Sequence, residues 1–391
     1  MTLATRCARA GRQNLEWHRT MRDTNPVWHN PRAGVWNVYR YQDVATVLAD
    51  HQTFSSDFSV VFPDSALLEG QIAAMDPPRH DQLRGLVSKA FTPRAIAALE
   101  GRIGELAEEL LDQTGARTRI ELVSELAYPL PVIVIAELLG VPAADRPRFK
   151  EWADALFAQG PVDPRDEASV ARVGALLRTF HDYFREHVAR RRADPRQDLL
   201  SSLVAAEIEG QRLSDGAIVG FATLLLLAGH ITTTLLLGNA ILCLEEHPAA
   251  QDALRADPRA IPAAIEEVLR YHSPFAASAR VTATEVQLGG QVIGPRQVVR
   301  ASLLSANHDE RAFPNPDAFV IERHPNPHLG FGKGIHFCLG APLARLEARV
   351  ALGILLRRYS RIGLDPERPP RPHLDPDMNG VQTLPLLVAP A

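Results

Sequence analysis

Between Ala217 and Leu244 the chain reads as a helix that is apolar on every face. It is long enough to cross a bilayer, yet it carries Gly229, His230, Thr232, Thr233, Thr234 and Asn239 near its middle. Polar groups at that depth are costly in lipid, so the run predicts a helix buried all round inside a large protein core. A chain of 391 residues is long enough to build one. Lys and Arg number 42 against 46 Asp and Glu, a formal charge of −4, without the basic stripe of a nucleic-acid binder. Three cysteines exclude a disulfide scaffold and point to a reducing compartment. The first residues, through Arg6, Arg9, Glu16 and Trp17, lack the apolar stretch of a secretory signal. A cytoplasmic chain that neither spans a membrane nor binds nucleic acid is expected.

Apolar spacing of three and four predicts helices from about Asp81 to Leu139, Val170 to Arg192, Leu199 to Leu244, Ala249 to Tyr271 and Ala341 to Arg358. Strand patterns are short and few. They are Val35 to Tyr39, Glu285 to Val299 with turn glycines Gly289, Gly290 and Gly294, and the tail from Leu384 to Val388. The fold class is mainly α with a minor β-sheet region. Prolines sit at joints such as Pro77-Pro78, Pro142, Pro248 and Pro369-Pro370, and no repeat or Gly/Ser linker divides the chain. A single domain over residues 1–391 is expected.

The chemistry concentrates in Phe331-Gly332-Lys333-Gly334-Ile335-His336-Phe337-Cys338-Leu339-Gly340-Ala341-Pro342. Glycines at alternate positions permit a tight turn with positive φ and a close approach of the backbone to a flat ligand. After Cys338 the pattern becomes helical, with Pro342 suited to a first turn and Leu343, Leu346, Val350 and Ile354 on one face. Cys338 therefore precedes a helix N-terminus, whose unpaired N–H groups and positive dipole end stabilise a thiolate. A zinc site needs about four ligands, but Cys7 stands alone and Cys243 has only His247 four residues on. One thiolate on a glycine-rich loop suits haem iron, where the porphyrin supplies four ligands.

This loop resembles the haem-binding signature F-G-x-G-x-H-x-C-x-G of the cytochrome P450 family, matched at Phe331, Gly332, Gly334, His336, Cys338 and Gly340. The resemblance extends over nearly the whole chain. It implies a helix-rich triangular prism with haem b between a long distal helix and the proximal cysteine loop, and Cys338 as the axial ligand. Glu267 and Arg270 match the family's E-x-x-R element and share a helix face by their i,i+3 spacing. The resemblance adds Arg323 to a network bracing the haem loop. It also places His80, Arg84, Arg280 and His336 against the haem propionates, for which they offer charge-assisted bonds.

On the distal side, Ala228-Gly229-His230-Ile231-Thr232-Thr233 would face dioxygen. Gly229 would let a ligand approach the backbone, and the Thr232 hydroxyl can bond a carbonyl one turn back and open a groove. The family usually has Asp or Glu where this chain has Ile231, and an isoleucine cannot act as a general acid. Thr232 with ordered water is the expected substitute.

The chain ends 391 − 338 = 53 residues after Cys338, too few for a reductase domain. The resemblance therefore implies electrons from NAD(P)H through a ferredoxin reductase and a ferredoxin. Arg79, Arg84, Lys89 and Arg94, with Lys333, Arg345 and Arg349 near the thiolate loop, would steer an anionic partner. By the same resemblance Phe58, Val61, Phe62, Leu225, Phe275, Ala277 and Met378 line the pocket, which suits a largely hydrophobic substrate such as a polyketide, terpenoid or peptide natural product. The expected activity is monooxygenation, hydroxylation or epoxidation, by a monomer. Two alternatives stand beside it: desaturation, oxidative coupling or peroxide-driven oxidation prompted by Ile231, and a non-catalytic haem sensor.

Overall fold

The computed structural model of the protein describes residues 15–61, 71–157, 167–208, 210–375 and 377–391. After a helix over 15–24, the main helices are α1 (Tyr41–Ala49), α2 (Arg79–Ala90), α3 (Glu100–Asp112), α4 (Pro129–Leu138), α5 (Arg146–Phe157), α6 (Glu167–Ala193), α7 (Asp215–Glu246), α8 (Pro248–Ala256), α9 (Ile261–Tyr271) and α10 (Ala341–Arg358). By contact, the chain divides into two compact units. One comprises Met1–Ser56, Glu100–Ala127 and Thr232–Ala391, the other Asp57–Leu99 and Tyr128–Ile231. Helix α7 runs unbroken from the second into the first.

In the first unit a five-stranded sheet is ordered Val27–Asn30, Val35–Val38, Val298–Ser302, Ala277–Thr282, Phe54–Ser55. All its pairs are antiparallel except Val35–Val38 with Val298–Ser302. Helix α1 covers it, burying Val44 and Leu48 in one cluster with Val38, Phe54 and Val299. A smaller sheet joins Tyr359–Leu364, Pro385–Pro390 and Arg119–Glu121.

The structure interrupts three of the expected helices. Arg119–Glu121 is a strand because its partner, Pro385–Pro390, lies far along the chain, and local periodicity carries no trace of such a pairing. A hairpin of Glu207–Ile208 with Gln211–Arg212 separates Leu199–Ala205 from α7. A 3₁₀ turn at Pro258–Ala260 splits α8 from α9. Ala277–Thr282 went unanticipated: it lies between two neighbours in the sheet and buries residues from both faces, so its sequence does not alternate.

Helix α7 is long and apolar enough to cross a membrane by length and composition, and most of its apolar stretch is buried in the protein. Its polar side chains Thr223, Thr234 and Asn239 are hydrogen-bonded within the protein. Thr223 donates to the Val219 carbonyl at 2.9 Å, and Thr234 to the Ala127 carbonyl at 3.0 Å. Asn239, 1% exposed, donates to the carbonyls of His272 (2.8 Å) and Asn379 (2.9 Å), tying the tail to the segment after α9. Gly380 is required beneath it: a Cβ there would lie 2.8 Å from a Leu235 methyl and 3.0 Å from Asn239 Oδ1. Asn239→Leu is expected to destabilise the protein by about 1–3 kcal/mol for each carbonyl left bare, read from the urea midpoint. A loss under about 0.5 kcal/mol, as for an ordinary surface change, would show that the tail is held by other contacts.

Candidate active site

Gly332 and Gly334 have φ of +74° and +76°, a region open to glycine at little cost. The Gly332 N–H donates to the Leu329 carbonyl (2.8 Å), that of Phe337 to Gly334 (3.1 Å), and that of Cys338 to Phe331 (2.9 Å), so the turn folds back on itself around the cysteine. The close backbone approach expected here is, at Gly334, an approach to the protein's own helix: a Cβ would fall 2.8 Å from Ala49 Cα and 2.9 Å from the Leu48 carbonyl oxygen of α1. Helix α10 starts at Ala341 with Pro342 in its first turn, and the part-exposed Cys338 lies three residues ahead of it. A Cβ at Gly340 would lie 3.9 Å from Cys338 Sγ, at ordinary van der Waals distance.

Three carboxylates support this loop and its helix, and their environments set three different behaviours. Glu267, 0% exposed, accepts from Arg270 Nε (2.9 Å) and Nη2 (2.8 Å), Arg323 Nε (3.1 Å), the Val320 N–H (2.9 Å) and Asn326 Nδ2 (3.2 Å). The remaining Arg270 and Arg323 donors go to the carbonyls of Asn307, Pro314, Asn315, Pro316 and Ala318. The buried charge is thus fully solvated by protein, the condition under which such an ion pair is tolerated. Glu266, its neighbour on α9, takes both arms of Arg345 (2.7 and 2.8 Å) and His328 Nε2 (3.1 Å). Burial pushes its carboxyl up, but Arg345 and His328 outweigh that and hold it down at about 2.

The third, Glu347 on α10, behaves in the opposite sense. It is 1% exposed, and burial pushes its carboxyl up to about 8, opposed only by a hydrogen bond from the Thr233 hydroxyl. Its Oε1 is buried with no hydrogen-bond partner among the described residues. Glu347 is therefore largely a neutral acid at pH 7.

On α7, a stripe of Leu224, Leu227, Ala228, Gly229, Ile231 and Thr232 is accessible or half-buried, while Leu225, Leu226 and His230 between them are buried. Ile231 lies on it, while Leu225, at 8% exposure, does not share its openness. Gly229 packs against α4, since a Cβ there would come 2.5 Å from Ile135 Cδ1. His230 turns its ring back on the helix, 2.6 Å from Nδ1 to the Leu226 carbonyl, edge-on to Tyr128.

In the second unit His80, 1% exposed with Nδ1 2.8 Å from Asp81, and half-buried Arg84 share helix α2. In the first unit Arg280, 7% exposed, donates to Ser278 Oγ and to the Ala279 carbonyl from strand Ala277–Thr282, and His336 ends the 3₁₀ turn Gly334–His336. Of the pocket candidates, Phe275 and Met378 meet in a β-bridge, Phe275 also packs on the sheet core, and Ala277 is buried at 5%. Phe58 and Val61 are half-buried, and Phe62 lies outside the described residues. Two of the cations expected to steer a partner are already engaged, Arg345 by Glu266 and Arg349 by Glu100 at 2.8 Å.

The donor set fits a haem. It offers one thiol held by backbone bonds ahead of a helix, and among the described residues no group of three or more His, Cys, Asp or Glu side chains is placed to hold a metal by itself. That suits a cofactor that brings its other ligands with it.

The family profile described as Cytochrome P450 matches residues 16–388. The chain belongs to the cytochrome P450 family. It is 46% identical over 356 residues to cyclomarin C epoxidase of Salinispora arenicola, covering 90% of each chain, and 45% identical over 375 residues to erythromycin C-12 hydroxylase of Saccharopolyspora erythraea, covering 95% of this chain and 94% of that one. The ligand-free structure of cytochrome P450 TbtJ1 superposes with a TM-score of 0.90 at 46% identity, covering 97% of this chain and 98% of the other. The protein is a P450 monooxygenase with the P450 fold, and family membership implies a haem-thiolate cofactor, redox partners and a hydrophobic substrate. An epoxidase and a hydroxylase as relatives set the non-catalytic sensor aside.

Sequence reasoning passed over Glu347 in this P450. The available signal was a carboxylate four residues after Leu343, on the buried face of α10; Val350, expected on that face, is only half-buried. Because the carboxyl moves from 4.5 to about 8 on folding, the folded chain holds more protons than the unfolded one between those values, and this group costs stability that grows as pH rises through that window. Glu347→Gln is neutral throughout. Its gain in Tm over the wild type should be smallest near pH 4.5 and largest above pH 8, and parallel pH profiles would show that Glu347 is already ionised in the fold.

Proposed function

We propose that this P450 inserts one oxygen atom from dioxygen into a C–H or C=C bond of a largely hydrophobic natural product, using electrons from NAD(P)H delivered through a ferredoxin reductase and a ferredoxin. The reading treats residues 1–391 as a single P450 domain working as a cytoplasmic monomer. The observation that carries it is Cys338, held by the Phe331 carbonyl ahead of α10 on a loop that matches the family signature. Cys338 would hold the haem iron through its thiolate, Phe331, Gly332 and Gly340 would shape the loop, and His80, Arg84, Arg280 and His336 would offer charge-assisted bonds to the propionates. Bound there, a haem would supply reductive activation of dioxygen.

The chain's own residues must hold and move the protons. Ile231 has none to offer, and His230 is committed to the Leu226 carbonyl. Thr232 is half-buried on the stripe that includes Ala228. The next residue, Thr233, reaches the protonated carboxyl of Glu347. Thr232 with ordered water delivers protons, and the Glu347–Thr233 pair is a buried proton store beside it. The apolar character of Phe58, Val61, Leu225, Phe275, Ala277 and Met378 supports a hydrophobic substrate. The epoxidase and hydroxylase relatives support a natural product and leave the choice between their two reactions to the substrate's own bonds.

Ile231, on the accessible stripe, also favours a second reading in which the oxidation is desaturation, coupling or peroxide-driven. Product formation with dioxygen plus ferredoxin, set against product formation with peroxide alone, separates the two. Under the first reading Thr232→Ala should raise hydrogen peroxide released per electron several-fold and lower product in step. An unchanged product yield per electron would remove Thr232 from proton delivery.

A further inference from the structure

Glu266, His328 and Arg345 lie outside the family signature, and together they close a ring around the entry to the thiolate loop. The guanidinium of Arg345 is bidentate on Glu266, and the same group stacks on the Phe331 ring, 4.6 Å from its centroid. On the other side the Gly330 N–H donates to His328 Nδ1 at 3.2 Å. Nδ1 therefore accepts, which puts the ring proton on Nε2, where it is donated to Glu266 Oε2 at 3.1 Å. Gly330 is packed against the end of α9, where a Cβ would meet the Leu269 carbonyl oxygen at 2.8 Å. Phe331 is in turn the residue whose carbonyl receives the Cys338 N–H. Arg345 belongs to α10, seven residues after the cysteine, so a single carboxylate on α9 holds the segment leading into the loop and the helix leading out of it.

We propose that Glu266 is a positioning residue for the thiolate, acting through His328 on the entering segment and through Arg345 on the Phe331 ring and α10, and that Arg345 serves this brace rather than the docking of a redox partner. The inference rests on the haem-thiolate reading. Lysine cannot reproduce the brace, because it lacks both the planar stack and the two-pronged bond.

The test compares Glu266→Gln, Arg345→Met and Arg345→Lys with Arg349→Gln, which removes an ion-paired cation from the same helix one turn on. The readouts are haem transfer to excess apomyoglobin, the thiolate-ligated fraction in the reduced carbon monoxide spectrum, amide hydrogen exchange at Gly330 and Cys338, and the salt dependence of electron delivery from ferredoxin. Glu266→Gln and Arg345→Met should lose haem about tenfold faster, in the range seen when groups orienting a metal ligand are removed. They should also show a reduced thiolate-ligated fraction and faster exchange at both amides, with an unchanged salt dependence. Arg345→Lys should fall between Arg345→Met and the wild type, and Arg349→Gln should match the wild type in haem retention and spectrum. Wild-type haem retention in Glu266→Gln, equal loss in Arg349→Gln, or a weakened salt dependence in Arg345→Met would each overturn the brace. A wild-type protein with no thiolate band would instead sink the haem-thiolate reading, and the inference with it.

Discussion

Glu267 carries a charge at zero exposure, and the region that presents Cys338 is arranged to make that charge tolerable. Five donors reach its two oxygens, from α9 itself, from Val320 and from the Arg323 and Asn326 side chains. Arg270 and Arg323 spend their remaining N–H groups on carbonyls between Asn307 and Ala318. Deleting one partner from such a network leaves an uncompensated buried charge, at a cost of about 3–5 kcal/mol. These bonds tie the segment from Asn307 to Asn326 to α9, and it delivers the chain to Leu329, whose N–H is held by Asn307 Oδ1 at 2.7 Å just before the thiolate turn begins.

Three acids within this unit show how burial and donors divide the same carboxyl chemistry. Glu267 is saturated by donors. Glu266 is part-exposed and held down by Arg345 and His328 against the upward push of burial, so its contribution to stability is present above pH 4.5 and lost as pH falls toward about 2. Glu347 is buried with the Thr233 hydroxyl as its donor, and burial keeps it largely protonated at pH 7. Two of these carboxylates serve the thiolate loop as fixed anions, and the third is suited to hold a proton beneath Thr233.

Much of this was legible in the sequence, and what was hidden had a common cause. The span of α10, the burial of α7, the glycine turn and the i,i+3 pairing of Glu267 with Arg270 all follow from local spacing, because helices and tight turns are made by neighbours in the chain. Arg119–Glu121 and Ala277–Thr282 escaped because a strand's partner is distant in sequence. Arg345 and Arg349 look like steering charges in the sequence because it shows a cation and not the acid opposite it; Glu266 and Glu100 are 79 and 249 residues away. Gly229 and Gly334 were expected to make room for a ligand. Each also makes room within the fold, for a side chain of α4 and the backbone of α1.

The account stands on one sulfur ligating iron, which the reduced carbon monoxide complex reports directly, since thiolate and imidazole ligation absorb at different wavelengths. The wild type should show the thiolate band, and Cys338→Ser should lose both that band and turnover. A Cys338→Ser protein with the wild-type band and wild-type product formation would contradict the account.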